Sequence, residues 1–227
     1  MKKITVTYKE PGGLIWKILP DEKGEYLVVE SRDGERRKTF LSTLKLSDTT
    51  ILYTIDQLPK PWWIGLKAVE KTTIILQGYK ESNSPEPKGF YVFDLGNGKL
   101  LKTEEEEIYN VPSNQELISS TVFPLLYNED NSHYKTIHNF VENNYEYKVI
   151  GPIEYLEYRH IVLISFYIRE NKKMTNILLV IDEEGNVLLT DKLIEGAEGV
   201  GMSTFFICKN KLIYIKNKTS IALAEIL

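Results

Sequence analysis

One recurring segment constrains this chain more than any other feature. The stretches "TFLSTLKLSDTTILYT" from Thr39, "GFYVFDLGNGKLLKT" from Gly89, "YKTIHNFVENNYEYKV" from Tyr134, "NILLVIDEEGNVLLTD" from Asn176 and "TSIALAEIL" from Thr219 each join an apolar strand to a polar turn, and the first four continue into a second strand. Equivalent positions Phe40, Phe90, Tyr134, Ile177 and Ile221 are 50, 44, 43 and 44 residues apart. A period of ~40 to 50 residues is that of a four-stranded propeller blade.

Two more strands precede most copies: "GLIWKIL" and "EYLVVES", "WWIGLKAV" and "TIILQGY", "PIEYLEY" and "IVLISFYI", "STFFICK" and "KLIYIKN". Ahead of the third copy only "ELISSTVFPLLY" is clear, and its innermost strand is expected within residues 108–119. The last copy stops at its third strand, which would leave an unpaired sheet edge open to aggregation. The segment "KKITVTYKE" has no other partner and is expected to supply the missing outer strand. The prediction is an all-β chain, a single domain over residues 1–227, folded as a five-bladed β-propeller closed by its N-terminal strand. A β-sandwich or barrel is the alternative that the same strands and turns allow. Helical periodicity is not evident, and the four glutamates from Glu104 read as a loop before Pro112.

Charge narrows the partners. The net charge of −4 comes from Lys and Arg interspersed with Asp and Glu, which does not make the concentrated positive surface that nucleic acid requires. No apolar run reaches the ~18 residues of a membrane span, and alternating threonines follow the first lysines where a signal peptide would be apolar. Cys208 is the only cysteine and sits among Phe205, Phe206 and Ile207, as an inert buried thiol would. These features predict a cytoplasmic monomer with no nucleic-acid or membrane partner.

Long connections favour one end of the sheets for binding. "SRDGERRK", "DQLPKP" and "KESNSPEPKG" share that end, whereas the opposite end carries short turns such as "GNGK" and "EKT". There "VVESRDGERRK" places Glu30 and Arg32 at period two on one side of a strand, as a carboxylate–guanidinium unit. In "KPWWIGL", Trp62 and Trp63 are expected to point to opposite sides, with Trp62 nearer the loop and the better candidate for exposure. A solvated ion pair and inter-blade packing are the ordinary roles of such residues.

Catalytic material is thin. Glu30, Asp56 and Glu154 are the candidate acids for a glycosidase pair, yet no motif singles them out. His133, His138 and His160 lack zinc spacing, no phosphate loop or nucleophile elbow is present, and "DEEGN" from Asp182 reads as a hairpin turn.

Two resemblances add to this reading. "FYVFDLGNGKLLK" is similar to the quinoprotein-type propeller repeat at Asp94, Gly98 and Lys99, with Leu101 or Lys102 where that repeat has tryptophan. No cofactor is expected. "LIWKI", "VVESRDGERRKTF", "PWWIGLKAV" and "ILQGYKESNSPEPKGFYVFDL" together resemble a bacterial, propeller-like family of unknown function, chiefly over residues 13–103. That resemblance implies the fold and coincides with Glu30, Arg32, Trp62, Trp63 and Tyr79, the candidate ligand-binding residues. The expected function is a non-catalytic binding module for a protein or small ligand; the alternative is a carbohydrate-active hydrolase with carboxylates in an axial pocket.

Overall fold

The computed structural model describes residues 4–80, 86–105, 107, 109 and 120–226. In chain order the first strands are β1 (Val6–Lys9), β2 (Leu14–Pro20), β3 (Tyr26–Asp33), β4 (Lys38–Lys45), β5 (Thr50–Ile55), β6 (Ile64–Glu70), β7 (Thr73–Tyr79), β8 (Pro87–Asp94) and β9 (Leu100–Glu104). Then come β10 (Thr121–Val122), β11 (Leu125–Tyr127), helix α1 (Tyr134–Tyr145), β12 (Val149–Tyr158), β13 (Ile161–Glu170) and β14 (Lys173–Asp182). The last are β15 (Val187–Ala197), β16 (Phe205–Cys208), β17 (Lys211–Lys216) and β18 (Ser220–Glu225). Among the described residues the chain is all-β apart from α1.

The described residues within 9–121 and 218–220 form one compact unit. It holds two antiparallel meanders, β2-β3-β4-β5 and β6-β7-β8-β9, each a run of consecutive strands. Burial follows position: β3 is covered from Leu27 to Ser31, whereas edge strand β5 exposes Ile51 and Leu52. Val28 and Leu41 of the first sheet share a core with Ile64, Leu66, Ile74, Leu76 and Phe93 of the second. The hairpin expected from the alternation of residues 89–103 is present as β8–β9, the second half of its meander. Its turn needs glycine: Gly98 has φ +72°, and its amide donates to the Asp94 carbonyl at 2.8 Å.

The described residues within 1–8, 122–217 and 221–227 form the second unit. One sheet runs β11-β12-β13-β14-β15, with Ile153, Ile164, Phe166, Ile177 and Leu179 packed under α1. The other runs β1-β18-β17-β16-β10, so the N-terminal strand does hydrogen-bond to β18. Its Phe205, Ile207, Leu212, Tyr214 and Ala222 share a core with Leu163, Leu178 and Leu193. A partly buried polar cluster fastens its edge: Asp191 accepts from the Tyr8 hydroxyl at 2.8 Å, the Tyr214 hydroxyl at 2.6 Å and the Lys216 ammonium. Cys208 is fully buried, and no helix among the described residues is long and apolar enough to cross a membrane.

Two expectations need correction. The third copy is not a hairpin: residues 134–145 form α1, because Tyr134, Ile137 and Val141 lie one and two turns apart and together bury an apolar stripe. The helix ends at Glu146, whose backbone is left-handed at φ +58°. Among the described residues there are consequently four sheets rather than five. The strands expected for a third blade are shared out, β10 joining the sheet of β16 and β11 joining that of β12. Most of the segment expected to give that blade's innermost strand, residues 108–119, lies outside the described residues.

Candidate functional site

The site is assembled at the long-connection end of the first unit. It draws on β2, the end of β3, the β5–β6 connection and the end of β7. Pleating puts Glu30 and Arg32 on the same side of β3, and the side chains meet: Arg32 Nε donates to Glu30 Oε1 at 2.7 Å, and Nη2 lies 2.6 Å from the same oxygen. The second carboxylate oxygen of Glu30 accepts the Leu66 amide at 2.7 Å, and Arg32 Nη2 donates to the Ile64 carbonyl at 3.0 Å. Both partners of this pair are thus tied to β6, the first strand of the next meander. Only 2% of the Glu30 side chain and 17% of that of Arg32 reach solvent, so the guanidinium is held in a fixed plane.

Aromatic rings cover that plane. The guanidinium carbon lies 4.7 Å from the ring centroid of Trp16 and 5.3 Å from that of Trp62. Such contacts are each worth roughly 0.5–1 kcal/mol at exposed sites and more where water is excluded. Trp62 is half-buried, not strongly exposed. Trp16, by contrast, is 67% exposed, and its strand neighbour Leu14 is 51% exposed.

Trp63 and Tyr79 complete the frame through their backbones. The Tyr79 amide donates to the Trp63 carbonyl at 2.9 Å, and Lys60 Nζ donates to the Tyr79 carbonyl at 2.8 Å. Gly65 lies at the centre. A Cβ there would sit 3.4 Å from Glu30 Oε2, 3.5 Å from Arg32 Nη2 and 3.7 Å from Tyr79 Cε2, so three candidate side chains converge on one glycine. Lys17, paired with Glu30 across β2 and β3, donates to the Leu66 carbonyl at 3.0 Å. Burial pushes its ammonium below the usual lysine range, partly offset by the Glu30 carboxylate.

All five candidate residues therefore belong to one neighbourhood, Glu30, Arg32 and Trp62 by direct side-chain contact and Trp63 and Tyr79 as its backbone support. Trp16 was not among them. Its signal lies in "LIWKIL", where alternation places Leu14 and Trp16 on one face of the strand, opposite the buried Ile15.

Beside the stack lies an open groove of about 500 Å³ whose lining includes Glu10, Leu14, Arg32, Asp33 and Glu35. Asp33 Oδ1 is spent on the turn, accepting the amides of Glu35 and Arg36 at 3.0 Å each, and its Oδ2 lies 3.6 Å from Arg36 Nε.

The acids considered for a glycosidase have other duties. Both oxygens of Glu30 are committed as described. Glu154, 5% exposed on β12, accepts the amides of Ser203 and Thr204 and fixes the segment ahead of β16. Asp56 pairs with Lys38 at 3.4 Å on the surface. His160 faces Glu183 at 3.0 Å and His138 faces Glu142 at 3.6 Å. Asp182 closes its hairpin by accepting the amides of Glu184 and Asn186. Among the described residues no three His, Cys, Asp or Glu side chains are grouped to hold a metal ion.

Residues 20–102 match the model of a family described as a domain of unknown function, DUF4905. The matched span contains Glu30, Arg32, Trp62, Trp63 and Tyr79, while Trp16 precedes it. No curated protein matches the chain. Among solved structures it is similar to the β-propeller domain of the trilobed protease from Pyrococcus furiosus, at 9% identity and a TM-score of 0.29, over 89% of this chain and 50% of that one. It is also similar to the WD40 domain of SCAP from fission yeast, at 10% identity and a TM-score of 0.30, over 97% and 45% of the two chains. A member of the duf4221 family from Bacteroides vulgatus is similar at 12% identity and a TM-score of 0.29, over 96% and 79%. The chain spans about half the length of the first two structures.

Proposed function

We propose that this chain is a propeller-type binding module with no catalytic role, whose working surface is the Trp16–Arg32–Trp62 stack. One observation carries the reading: the most exposed tryptophan rests on a guanidinium that Glu30 and the Ile64 carbonyl already hold in place. A large ring presented on a rigid support loses little freedom when a partner covers it, and Trp and Arg are the residues on which binding energy concentrates. The partner is a protein or a small molecule, and the module works as a cytoplasmic monomer.

The test uses Trp16 as reporter. Replacing Trp62 and Trp63 by Phe leaves it the sole tryptophan of the three in the chain. Its emission is then titrated with a panel of disaccharides, nucleotides and short peptides, and the whole panel is also run by calorimetry on the unmodified chain, where Trp62 is in place. A compound that moves the emission, and whose binding is lost in Trp16→Ala, supports the reading. A panel that leaves both the emission and the calorimetric heats unchanged overturns it.

A further inference from the structure

We infer that the ligand of this surface is a peptide segment presenting an arginine, whose guanidinium stacks on Trp16 while its charge is met by Glu10 and Glu35. The inference rests on the binding reading above and specifies its ligand class.

The stack and the groove share Arg32. Arg32 touches the Trp16 ring and also lines the groove; Leu14, paired with Arg32 across β2 and β3, lines it too. Trp16 follows Leu14 by two residues, roughly 7 Å along the strand and on the same face. The surface thus offers an exposed indole beside an exposed leucine, and carboxylates beyond them.

Charge selects what fits. The positive charge of Arg32 is answered within the site by Glu30, and that of Arg36 lies against Asp33. Glu10 and Glu35 form no ion pair among the described residues; the contact of Glu10 is the Ser220 hydroxyl at 3.5 Å. The lining is therefore left net negative next to an aromatic ring. An anionic ligand would be repelled, and a neutral sugar would leave two carboxylates beside it unused. A planar cation uses both features, since guanidinium stacks on indole and donates two parallel hydrogen bonds to a carboxylate. The Trp62–Arg32–Trp16 order already shows this protein packing guanidinium on indole; a ligand arginine would add one more layer. Backbone flanking the arginine would run past Leu14 along the groove.

The experiment titrates the full chain with three capped hexapeptides of alternating glycine and a second residue, arginine, glutamate or serine, read by calorimetry and by tryptophan emission. The arginine peptide is expected to bind, to weaken with added salt, and to move the emission. Glu10→Gln combined with Glu35→Gln is expected to weaken it about five- to tenfold and flatten the salt dependence, and Trp16→Ala to weaken it about tenfold. All three positions are exposed, so folding is not at stake; circular dichroism verifies this. Arginine binding no tighter than that of the serine peptide, or unaffected by the double Gln variant, overturns the inference. If a sugar or nucleotide from the panel above moves Trp16 emission while the arginine peptide does not, the arginine assignment falls and the platform stands. If nothing moves it, both fall.

Discussion

Glu30 accepts the main-chain amide of Leu66 at 2.7 Å, so a carboxylate on β3 fastens the opening strand of the neighbouring meander. The same carboxylate neutralises Arg32, which makes it the keystone of both the fold and the aromatic stack. Removing one partner of a buried ion pair leaves the other charge uncompensated and costs ~3–5 kcal/mol. Glu30→Ala is therefore expected to lower the unfolding free energy of this unit by an amount of that order, read as a fall in the urea midpoint at unchanged slope. Glu30→Ala combined with Arg32→Met should recover part of the loss, because the guanidinium is then no longer left without its carboxylate, although Lys17 still loses its neighbour. A single variant as stable as the parent would contradict the assignment.

Trp16 and Trp62 should respond differently to truncation, although both touch Arg32. Trp16→Ala removes an exposed ring and is expected to change stability by less than about 1 kcal/mol. Trp62→Ala opens a half-buried position and should cost about 2–3 kcal/mol. Thermal melts of the two variants, side by side, check the order.

Gly98 tests the hairpin. Its backbone is left-handed, and a Cβ would lie 2.7 Å from the Tyr53 ring. Gly98→Ala is expected to cost about 1–2 kcal/mol from the conformation alone, with displacement of Tyr53 added to it. Tyr53 donates to the Leu95 carbonyl at 2.6 Å, so loss of protection at that turn in amide exchange should accompany the drop in stability. Gly65→Ala is the control, since a Cβ there makes only ordinary contacts.

Asp191 gives the pH dependence. Burial alone would raise its pKa, but Lys216 and the hydroxyls of Tyr214 and Tyr8 stabilise the ionised form and hold it below the usual aspartate range. Because the folded value is the depressed one, its contribution is fully present above the unfolded pKa of about 3.9 and is lost as pH falls through the folded value. Stability between pH 5 and pH 2 should therefore decline less steeply in Asp191→Asn than in the parent. Equal slopes in urea titrations across that window would contradict this origin.

Much of this arrangement is legible in the chain. The alternation around Gly98 gives the β8–β9 hairpin, and the two-residue spacing of Glu30 and Arg32 gives their pairing, because a strand leaves no other geometry. Which of the neighbouring tryptophans is exposed is not encoded so locally. The alternation of "LIWKIL" sets Leu14 and Trp16 opposite Ile15, but both faces are largely apolar, so which of them meets water is decided by what packs on the strand. Helix α1 was hidden for a related reason. Tyr134, Ile137 and Val141 carry a helical stripe, but the tyrosines and asparagines around them also suit strand and turn, and the repeat spacing happened to align with them. A repeat read across a chain assigns every copy the same structure, whereas each copy answers to its own packing.

The hydrogen bonding of β1 to β18 bears on how the molecule is made. The meanders β2–β5 and β6–β9 join strands that are sequence neighbours, so little chain has to be closed before their contacts form, and such local topologies fold quickly. The sheet holding β1 must instead bring together segments more than two hundred residues apart. During synthesis β1 is thus obliged to wait for β18 before the two can pair. Until then the outer edge of that sheet, including the Tyr8 anchor to Asp191, stays open, and this interval is when a chaperone would have most to guard.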